Sequence, residues 1–449
     1  MANVSIQFSK EIGKIKPMHA TNNGPVYKFG ESMRVTNLDA FREAGIPYAR
    51  NHDASFCAAY GGEHIVDVHA IFPNFDADPY DPASYDFIMT DEYVRVCEYA
   101  GCKTFYRLGS KIEHGIKKYG TLPPKNFEKW AIICEHIIRH YTEGWADGFR
   151  YDMEYWEIWN EADGANDDAP DKPTWGGTQT QFYELYRITA NHLKKCFPHL
   201  KIGGPSNSGR IRFVEEFIRQ CKDTAPLDFF SWHRYKPDPT PVMEFARRVR
   251  ELLDENGFEK TESILDEWNY VRSFCGEDWI YSLRQEKSIK GAAYIAAMMC
   301  EAQREPVDML MYYDARPCSM NGMFDTDLVC DKLKGYYPFP MFNALYKLGT
   351  SAMATSDEET VHVCAAVSED EAAVFLTHFN DDDETKPIEL TLTLDGFGGD
   401  GVTTEVEWYV LDEDHDLTPV NRIRYSGTHL SWLPTLPNFT SYLIKLKKL

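Results

Sequence analysis

The sequence has little positive charge for its length and no long apolar segment. Its 449 residues include 47 Lys and Arg against 70 Asp and Glu, a formal net charge of -23 at pH 7. Negative charge repels phosphate backbones and anionic lipids, so we expect neither nucleic acid nor membrane partners. The first residues, MANVSIQFSKEIGKIKPMH, hold no apolar run long enough for a signal peptide, and we expect a cytoplasmic protein.

Two familiar motifs are also missing. No CxxC pair occurs among the 11 cysteines, which gives a structural zinc site little support. No GxGxxG follows the first apolar run, and GGPSNSG (203–209) lacks the Lys of a phosphate-binding loop. The missing glycine motifs weaken the case for an open, nucleotide-binding α/β sheet.

What the sequence does contain is one alternation repeated eight times. Short apolar runs, each followed by a helical pattern with apolar residues three and four apart, extend from about residue 15 to 350. Strands that alternate with helices pair in parallel, and eight units favour a closed (β/α)8 TIM barrel. The predicted strands are 15–20, 46–50, 103–108, 155–160, 200–204, 228–233, 263–268 and 307–313.

The last hundred residues have a different pattern. Runs such as EAAVFLTHFN and TTEVEWYVLD alternate apolar and polar residues between Gly, Asp and Asn turns. This pattern predicts a C-terminal antiparallel β-sandwich, which NVSIQFS near the N-terminus joins as a further strand. We therefore predict an α/β barrel domain over 14–350 and a sandwich domain formed by 1–13 and 351–449.

Polar side chains follow several of the predicted barrel strands. A TIM barrel builds its active site at the C-terminal ends of its strands, so these residues are the candidates for a functional site. They are Arg50, His52, Arg107, Asn160, Glu161, His233, Tyr235 and Glu267.

Two glutamates at two strand ends indicate a particular chemistry. Glycoside hydrolysis needs one carboxyl that protonates the departing oxygen and a second that attacks the anomeric carbon or activates water. We expect Arg50 to keep the nucleophile ionised, Asn160 to bond a sugar hydroxyl and Tyr235 to donate to the nucleophile. If 263–268 alternates regularly, Asp266 and its neighbour Glu267 point to opposite sides.

Four motifs, in this order, resemble the β-xylosidase family, glycoside hydrolase family 39, of the clan A retaining glycosidases. They are VDVHAIFPNFDADPYDPASYDF (66–87), WEIWNEAD (156–163), SWHRY (231–235) and LDEW (265–268). The resemblance implies acid/base Glu161, nucleophile Glu267 and retention through a covalent glycosyl-enzyme. It implies sugar contacts by His52, Asn160, His233 and Tyr235, and no metal or organic cofactor.

The chain departs from the family pattern at two places. Ala162 stands where the family usually has Pro after WNE, and MYYDARPCSMNGMF (311–324) lacks the Trp that usually lies under the sugar. Tyr312, Tyr313 or Asp314 takes that place, and we include Tyr313 among the substrate-binding residues. Alternatively, the sugar differs from xylose.

Our sequence-based interpretation is therefore a retaining glycoside hydrolase that acts in exo fashion on xylosides or related short plant-type oligosaccharides. The alternatives are another clan A enzyme such as an arabinofuranosidase or arabinoside-releasing hydrolase, and a non-catalytic carbohydrate-binding barrel. A metal-dependent hydrolase built on His64, Asp67 and His69 is less favoured. Trp175 and Trp279 are candidate sugar platforms, and a homo-oligomer is possible.

Overall fold

The computed structural model describes residues 2–27, 36–53, 64–326 and 330–449, and the side chain of residue 400 is outside the description. Strand β1 (Ala2–Lys14) belongs to a sheet that the two ends of the chain form together, and the next eight strands, all parallel, close into a barrel. The barrel strands are β2 (Ala20–Asn22), β3 (Tyr48–Asn51), β4 (Lys103–Leu108), β5 (Tyr155–Ile158), β6 (Lys201–Asn207), β7 (Phe229–His233), β8 (Glu262–Trp268) and β9 (Met309–Tyr312).

Helices join the barrel strands and surround them. They are α1 (Leu38–Ala44), α2 (Val68–Ile71), α3 (Ile88–Ala100), α4 (Phe127–Thr142), α5 (Gln179–Cys196), α6 (Ile211–Cys221), α7 (Thr240–Glu255), α8 (Gly276–Gln285), α9 (Ile289–Arg304) and α10 (Pro338–Tyr346). Local sequence sets several of their ends. Gly45 and Gly101 follow α1 and α3 with φ of 63° and 77°, the left-handed conformation that glycine adopts at C-caps. Thr178 and Gln181 form a capping box at the start of α5.

The second sheet is formed by the two ends of the chain. Its strands after β1 are β10 (Thr350–Ser356), β11 (Val361–Val367), β12 (Glu371–His378), β13 (Ile388–Leu411), β14 (Thr418–Trp432), β15 (Thr435–Leu436) and β16 (Thr440–Lys448). Strand β13 pairs with β16 along its second half, whereas its first half pairs in parallel with β1. The sheet therefore folds back on itself around a second apolar core.

The predicted fold class, a (β/α)8 barrel with a mostly antiparallel β-sandwich, is confirmed. The first barrel strand, however, begins later than the predicted 15–20. Residues 15–19 link the two sheets instead, since Pro17 has no N–H for a strand ladder, and β2 covers only Ala20–Asn22. None of the helices in the described ranges combines the length and apolar character needed to cross a bilayer.

The barrel interior has an apolar layer below a charged layer. Tyr155 and Ile264 lie in the lower layer with Phe105, Phe229 and Met309. Because side chains on a strand alternate, Glu157 and Asp266, two residues further along the same strands, also point inward. The charged layer therefore lies at the C-terminal ends of the strands.

A buried lysine of helix α9 is one of the links between the barrel and the sandwich. The Lys290 side chain is 2% exposed, and its Nζ contacts Oδ1 of Asp381 at 2.9 Å, Oδ1 of Asp383 at 2.8 Å and the hydroxyl of Tyr281 at 3.0 Å. Both aspartates follow β12.

We expect Lys290→Met to lower the free energy of unfolding by about 2 kcal/mol. This is less than the loss for a fully buried ion pair, because Asp383 is exposed enough to be solvated once the cation is gone. Urea unfolding of this variant should be compared with Lys10→Met, which removes an exposed lysine. Equal stability of the two variants would contradict the role given to Lys290.

Candidate active site

The C-terminal ends of six barrel strands bring the candidate residues together. Strand β3 supplies Arg50 and is followed by His52, and β5 is followed by Asn160 and Glu161. Strand β6 supplies Ser206, β7 supplies His233 and β8 supplies Asp266 and Glu267. Tyr235 and Tyr313 follow β7 and β9. Hydrogen bonds and ion pairs connect these residues, as described below.

The chain turns sharply where β5 ends. The predicted strand 155–160 stops at Ile158, and Trp159 and Glu161 have φ of 78° and 48°. Such conformations cost non-glycine residues about 1–3 kcal/mol and persist where the surroundings enforce them. Here the Trp159 N–H donates to the Leu108 carbonyl at 2.6 Å and the Glu161 N–H donates to the Ser206 carbonyl at 2.9 Å. The turn thus directs Glu161 into the cleft.

Arg50 is the centre of the site. Its guanidinium is fully buried and donates hydrogen bonds from all three nitrogens. The acceptors are Glu157 at 2.7 Å from Nε, Asn22 and Glu267 each at 2.9 Å from Nη1, and Asn160 and Ser206 each at 2.8 Å from Nη2. Burial lowers the pKa of Arg50, but Glu157, Asp266 and Glu267 outweigh it and raise the pKa above its ordinary value.

Glu267 receives a hydrogen bond on each carboxylate oxygen. Arg50 donates to Oε1 at 2.9 Å, and the Tyr235 hydroxyl donates to Oε2 at 2.9 Å. Burial raises the pKa of Glu267 to about 7, assisted by the charges of Glu161 and Asp266, although His233 and Arg50 lower it. Glu267 is therefore poised to ionise near neutral pH in a fixed orientation.

His233 lies between the two glutamates. Its Nδ1 is 2.8 Å from Oε1 of Glu161 and 3.4 Å from Oε2 of Glu267, and its Nε2 is 2.6 Å from Oγ of Ser206. Burial lowers the pKa of His233, but Glu267 and Asp266 outweigh it and raise the pKa well above the ordinary value. A protonated His233 can donate a hydrogen bond from each ring nitrogen. One carboxylate oxygen of Glu161 lies within 4.8 Å of one carboxylate oxygen of Glu267.

A bulge in β8 brings both acidic neighbours to the site. Trp232 is opposite Leu265, but the next residue of β7, His233, is opposite Glu267, so one residue of β8 is left over. The prediction that Asp266 and Glu267 point to opposite sides is therefore wrong. Asp266 Oδ2 lies 3.2 Å from Arg50 Nε, and Glu267 Oε1 lies 2.9 Å from Nη1 of the same side chain.

Two of the buried polar atoms that have no partner within the described ranges are side-chain nitrogens that belong to predicted substrate-binding residues. They are the Nδ2 amide of Asn160 and the Nδ1 of His52. Burial lowers the pKa of His52 well below its ordinary value, so its ring is neutral, and its Nε2 lies 3.7 Å from Glu267. Because buried polar groups normally have partners, both atoms are suited to bind a hydroxyl group of a ligand.

Of the three candidates at the end of β9, which is the eighth strand of the barrel, Tyr313 is the one that faces the other site residues. Its ring centroid lies 6.3 Å from those of His52 and Tyr235, and its hydroxyl donates to Asp53 at 2.8 Å. Tyr312 is fully buried and accepts a hydrogen bond from the Gly322 N–H. Asp314 is buried too and binds Arg316 at 2.7 Å.

The two predicted tryptophan platforms differ in their surroundings. Trp175 is 3% exposed, donates to the Thr178 carbonyl and packs edge-on against Trp159, so it belongs to the core. Trp279 lies on α8, half-buried, with its ring 5.4 Å from that of Phe274, which in turn lies 5.4 Å from Tyr235. Only Trp279 of the pair is linked to the site.

The cluster His64, Asp67 and His69 has ligand atoms within 4.8 Å of one another. However, Asp67 already accepts hydrogen bonds from Arg107 at 2.6 Å, from His64 at 2.7 Å and from the backbone N–H of Lys111. A divalent cation would lie against the buried guanidinium of Arg107. Arg107 also donates to the backbone carbonyl of His52 and so helps to hold this site residue in place.

Sequence reasoning missed Ser206 and Glu157. Ser206 lies in GGPSNSG, beyond the predicted strand 200–204, whereas β6 extends to Asn207. Glu157 is an acidic residue in the middle of a fully buried strand. That placement alone is a signal, because an unpaired glutamate is almost never fully buried.

A closed parallel barrel with two glutamates on separate strand ends, a histidine between them and a buried arginine below defines a TIM-barrel protein of the glycosidase type. The family model for glycosyl hydrolases family 39 matches residues 49–324, more than half of the chain. The chain belongs to glycosyl hydrolases family 39, which confirms the resemblance found in its motifs.

Relatives agree with this assignment. A β-xylosidase from Caldicellulosiruptor saccharolyticus is 25% identical over 286 residues, which are 56% of this chain and 53% of that protein. The chain thus spans about half the length of this relative. A glucosidase from Croceicoccus marinus (TM-score 0.81, 22% identity, 100% of this chain and 99% of that one) has the same fold. So does a monomeric β-xylosidase from Caulobacter crescentus CB15 (TM-score 0.71, 17% identity, 100% of both chains).

We expect Arg50→Met to destabilise the protein by about 3–5 kcal/mol at neutral pH, because it leaves buried carboxylates without their cation. Arg50 lowers the pKa of Asp266 and Glu267, so its stabilising effect is present while these two groups are ionised and fades as falling pH protonates first Glu267 and then Asp266. Urea unfolding at neutral and acidic pH measures this. A loss that is the same at both pH values would contradict the electrostatic role.

Proposed function

We propose that the protein is a retaining glycoside hydrolase that cleaves β-xylosides. The observation that carries this proposal is the pair Glu161 and Glu267, whose nearest oxygens lie within 4.8 Å across the barrel mouth. Retaining enzymes hold their carboxyl groups about 5–5.5 Å apart, whereas inverting enzymes need roughly 6.5–9.5 Å to admit a water molecule. The separation supports direct attack on the sugar by one of the two carboxylates.

Glu267 is the proposed nucleophile. Arg50 and Tyr235 each donate to one of its oxygens at 2.9 Å, which favours the ionised form and fixes the direction of attack. In the first step an oxygen of Glu267 forms a bond to the anomeric carbon while the bond to the leaving oxygen breaks. The product of this step is a covalent glycosyl-enzyme and a free alcohol.

Glu161 is the proposed acid/base. Its side chain is 17% exposed, against 7% for Glu267, so it has the easier exchange of protons with solvent. In the first step Glu161 donates its proton to the leaving oxygen. In the second it removes a proton from the water that attacks the anomeric carbon and releases the sugar from Glu267. His233 can donate to Glu161 at 2.8 Å and thereby stabilises its ionised form between the two steps.

The remaining side chains suit a neutral, hydroxylated ligand. Asn160 and His52 offer their unpartnered polar atoms, and Tyr313 supplies an aromatic face in place of the expected tryptophan. Family membership and the curated β-xylosidase relative support a β-xyloside as substrate. The missing family tryptophan at the end of β9 keeps arabinosides as the second candidate. Exo action, a cytoplasmic location and a homo-oligomer remain predictions.

A panel of aryl glycosides tests the proposed activity. We expect the wild type to hydrolyse aryl β-xyloside and to release first the sugar of unchanged anomeric configuration, as seen by proton NMR. Glu267→Ala should lower kcat by about 10³-fold or more, with azide restoring turnover as a glycosyl azide. Glu259→Ala, an exposed glutamate, is the matched control.

Release of the inverted sugar would refute the retaining mechanism, and cleavage of arabinosides alone would replace the proposed substrate. Full activity of Glu267→Ala would refute the proposed nucleophile. Binding of xylo-oligosaccharides without hydrolysis of any substrate in the panel would favour the carbohydrate-binding alternative.

The pH dependence of kcat/KM provides a further prediction. Because burial raises the pKa of Glu267 to about 7 and the nucleophile must be ionised, kcat/KM should rise as the pH increases through about 7. Below that value it should fall by about tenfold per pH unit. Tyr235→Phe removes a donor to the ionised form and should move this limb to higher pH. An unchanged limb in Tyr235→Phe would contradict the role of the hydroxyl.

A further inference from the structure

Below the nucleophile, two buried carboxyl groups share one hydrogen-bond donor. Glu157 on β5 and Asp266 on β8 are both fully buried. The Nε of Arg50 lies 2.7 Å from Oε2 of Glu157 and 3.2 Å from Oδ2 of Asp266. One N–H cannot satisfy two carboxylates as well as it satisfies one, so this arrangement requires a further source of stabilisation.

The other oxygen of each carboxyl group has no donor. Oε1 of Glu157 and Oδ1 of Asp266 are buried and receive no hydrogen bond from the residues that the structure describes, since Nε2 of His233 lies 3.6 Å from Oδ1, which is too long for a hydrogen bond. Two bare carboxylate oxygens in the barrel interior would be costly. A proton on one carboxyl turns it into a donor, and the other then accepts an O–H···O bond.

The surroundings decide where the proton lies. Burial raises the pKa of Glu157 to about 8, which Asp266 reinforces against the opposing effects of Arg50 and Ser231. Burial also raises the pKa of Asp266, but Arg50 and His233 outweigh it and lower the pKa overall. The proton therefore belongs to Glu157, and the negative charge belongs to Asp266.

Charge balance in the cluster agrees with this assignment. Arg50 and His233 contribute two positive charges. In the state that begins the proposed reaction, Glu161 is protonated and Glu267 is ionised. One further negative charge, on Asp266, makes the buried cluster neutral, whereas a second one on Glu157 would leave it with an excess buried charge. The other groups that face it, His52 and Tyr235, are neutral.

We propose that Glu157 is a positioning residue that acts as a neutral carboxylic acid: it donates a hydrogen bond to Asp266, and the resulting singly charged pair holds Arg50 against the nucleophile Glu267. The proposal deepens the proposed function and rests on it for the role of Glu267.

The same pair also supports the acid/base. Oδ2 of Asp266 accepts from the Ser206 hydroxyl at 3.0 Å, and Ser206 Oγ lies 2.6 Å from Nε2 of His233. His233 in turn contacts Glu161 through Nδ1. A fixed charge on Asp266 therefore stabilises the protonated histidine, and this connects the proton on Glu157 to both glutamates of the site.

Two substitutions at one position separate this role from simple packing. Glu157→Gln keeps the shape, accepts from Arg50 through its carbonyl oxygen and donates to Asp266 through its amide, so it imitates the neutral acid. We expect kcat/KM within about threefold of wild type and an unshifted acid limb. Glu157→Met can neither accept nor donate, and we expect kcat/KM to fall by about tenfold or more with a displaced acid limb.

Equal losses in the Gln and Met variants, or a shifted acid limb in Glu157→Gln, would overturn the proposal, because they would mean that Glu157 acts as a charged group. An acid limb that stays in place in Glu157→Met would also overturn it, since a packing role alone lowers stability without moving the pH profile.

An infrared measurement tests the proton without relying on activity. At a pH between the pKa of Glu267, about 7, and that of Glu157, about 8, the wild-type minus Glu157→Gln difference spectrum should contain the C=O band of a protonated carboxylic acid. Asp266→Asn should also remove this band, because its amide donates to Glu157 and lets it ionise. The difference spectrum of either variant is enough for the test, provided that the variant folds. If the band is absent from both the Glu157→Gln and the Asp266→Asn difference spectra, the proposal is overturned. If the panel of glycosides fails but the band is present, the proposed function fails and the shared proton stands.

Discussion

The burial of one cation, Arg50, is the constraint on which the rest of the site depends. A guanidinium inside a barrel loses its hydration, and this loss is tolerable only when its N–H groups find acceptors and its charge is balanced. Asn22, Glu157, Asn160, Ser206 and Glu267 provide the acceptors, from β2, β5, β6 and β8 or the residues that follow them. One side chain therefore fixes the relative positions of four strand ends.

The charge of Arg50 also explains why acidic residues gather in this interior. Three carboxyl groups around one cation leave excess negative charge, which His233 and the proton proposed on Glu157 compensate. Each group is in a state that it would rarely adopt in water, namely a histidine with a raised pKa, a glutamate with a pKa of about 8 and a nucleophile with a pKa of about 7. The pKa of the neighbouring Asp266 is lowered instead, and such perturbed values on adjacent groups are typical of acid–base chemistry.

Backbone conformation contributes as much as side-chain chemistry. Trp159, Glu161 and Ser206 all have positive φ values, and the bulge in β8 places two consecutive acidic residues around Arg50. These features oppose regular strand geometry, and hydrogen bonds between neighbouring strands hold them in place. The irregular backbone at these strand ends thus brings Glu161 and Glu267 close together.

The periodicity of the sequence was sufficient to predict the barrel, the sandwich and the strand ends that carry Arg50, Glu161 and Glu267. It was insufficient wherever the local pattern was overridden by tertiary contacts. Regular alternation predicted that Asp266 and Glu267 point to opposite sides, because a bulge leaves no mark on the sequence of a single strand. Loop-like composition suggested that Trp175 is a surface platform, although its ring packs against Trp159 in the core. Ser206 escaped notice because nothing near it in sequence indicates Arg50 as its partner.

The most direct test of this account is to trap the covalent intermediate. A 2-deoxy-2-fluoro-β-xyloside with a good leaving group should react once with the enzyme, because the fluorine slows the second step more than the activated first step. Peptide mass spectrometry should then find the fluoroxylosyl group on Glu267. Labelling of another carboxylate, such as Glu161 or Asp266, or turnover of the activated xyloside with no labelled peptide, would contradict the arrangement of roles around Arg50.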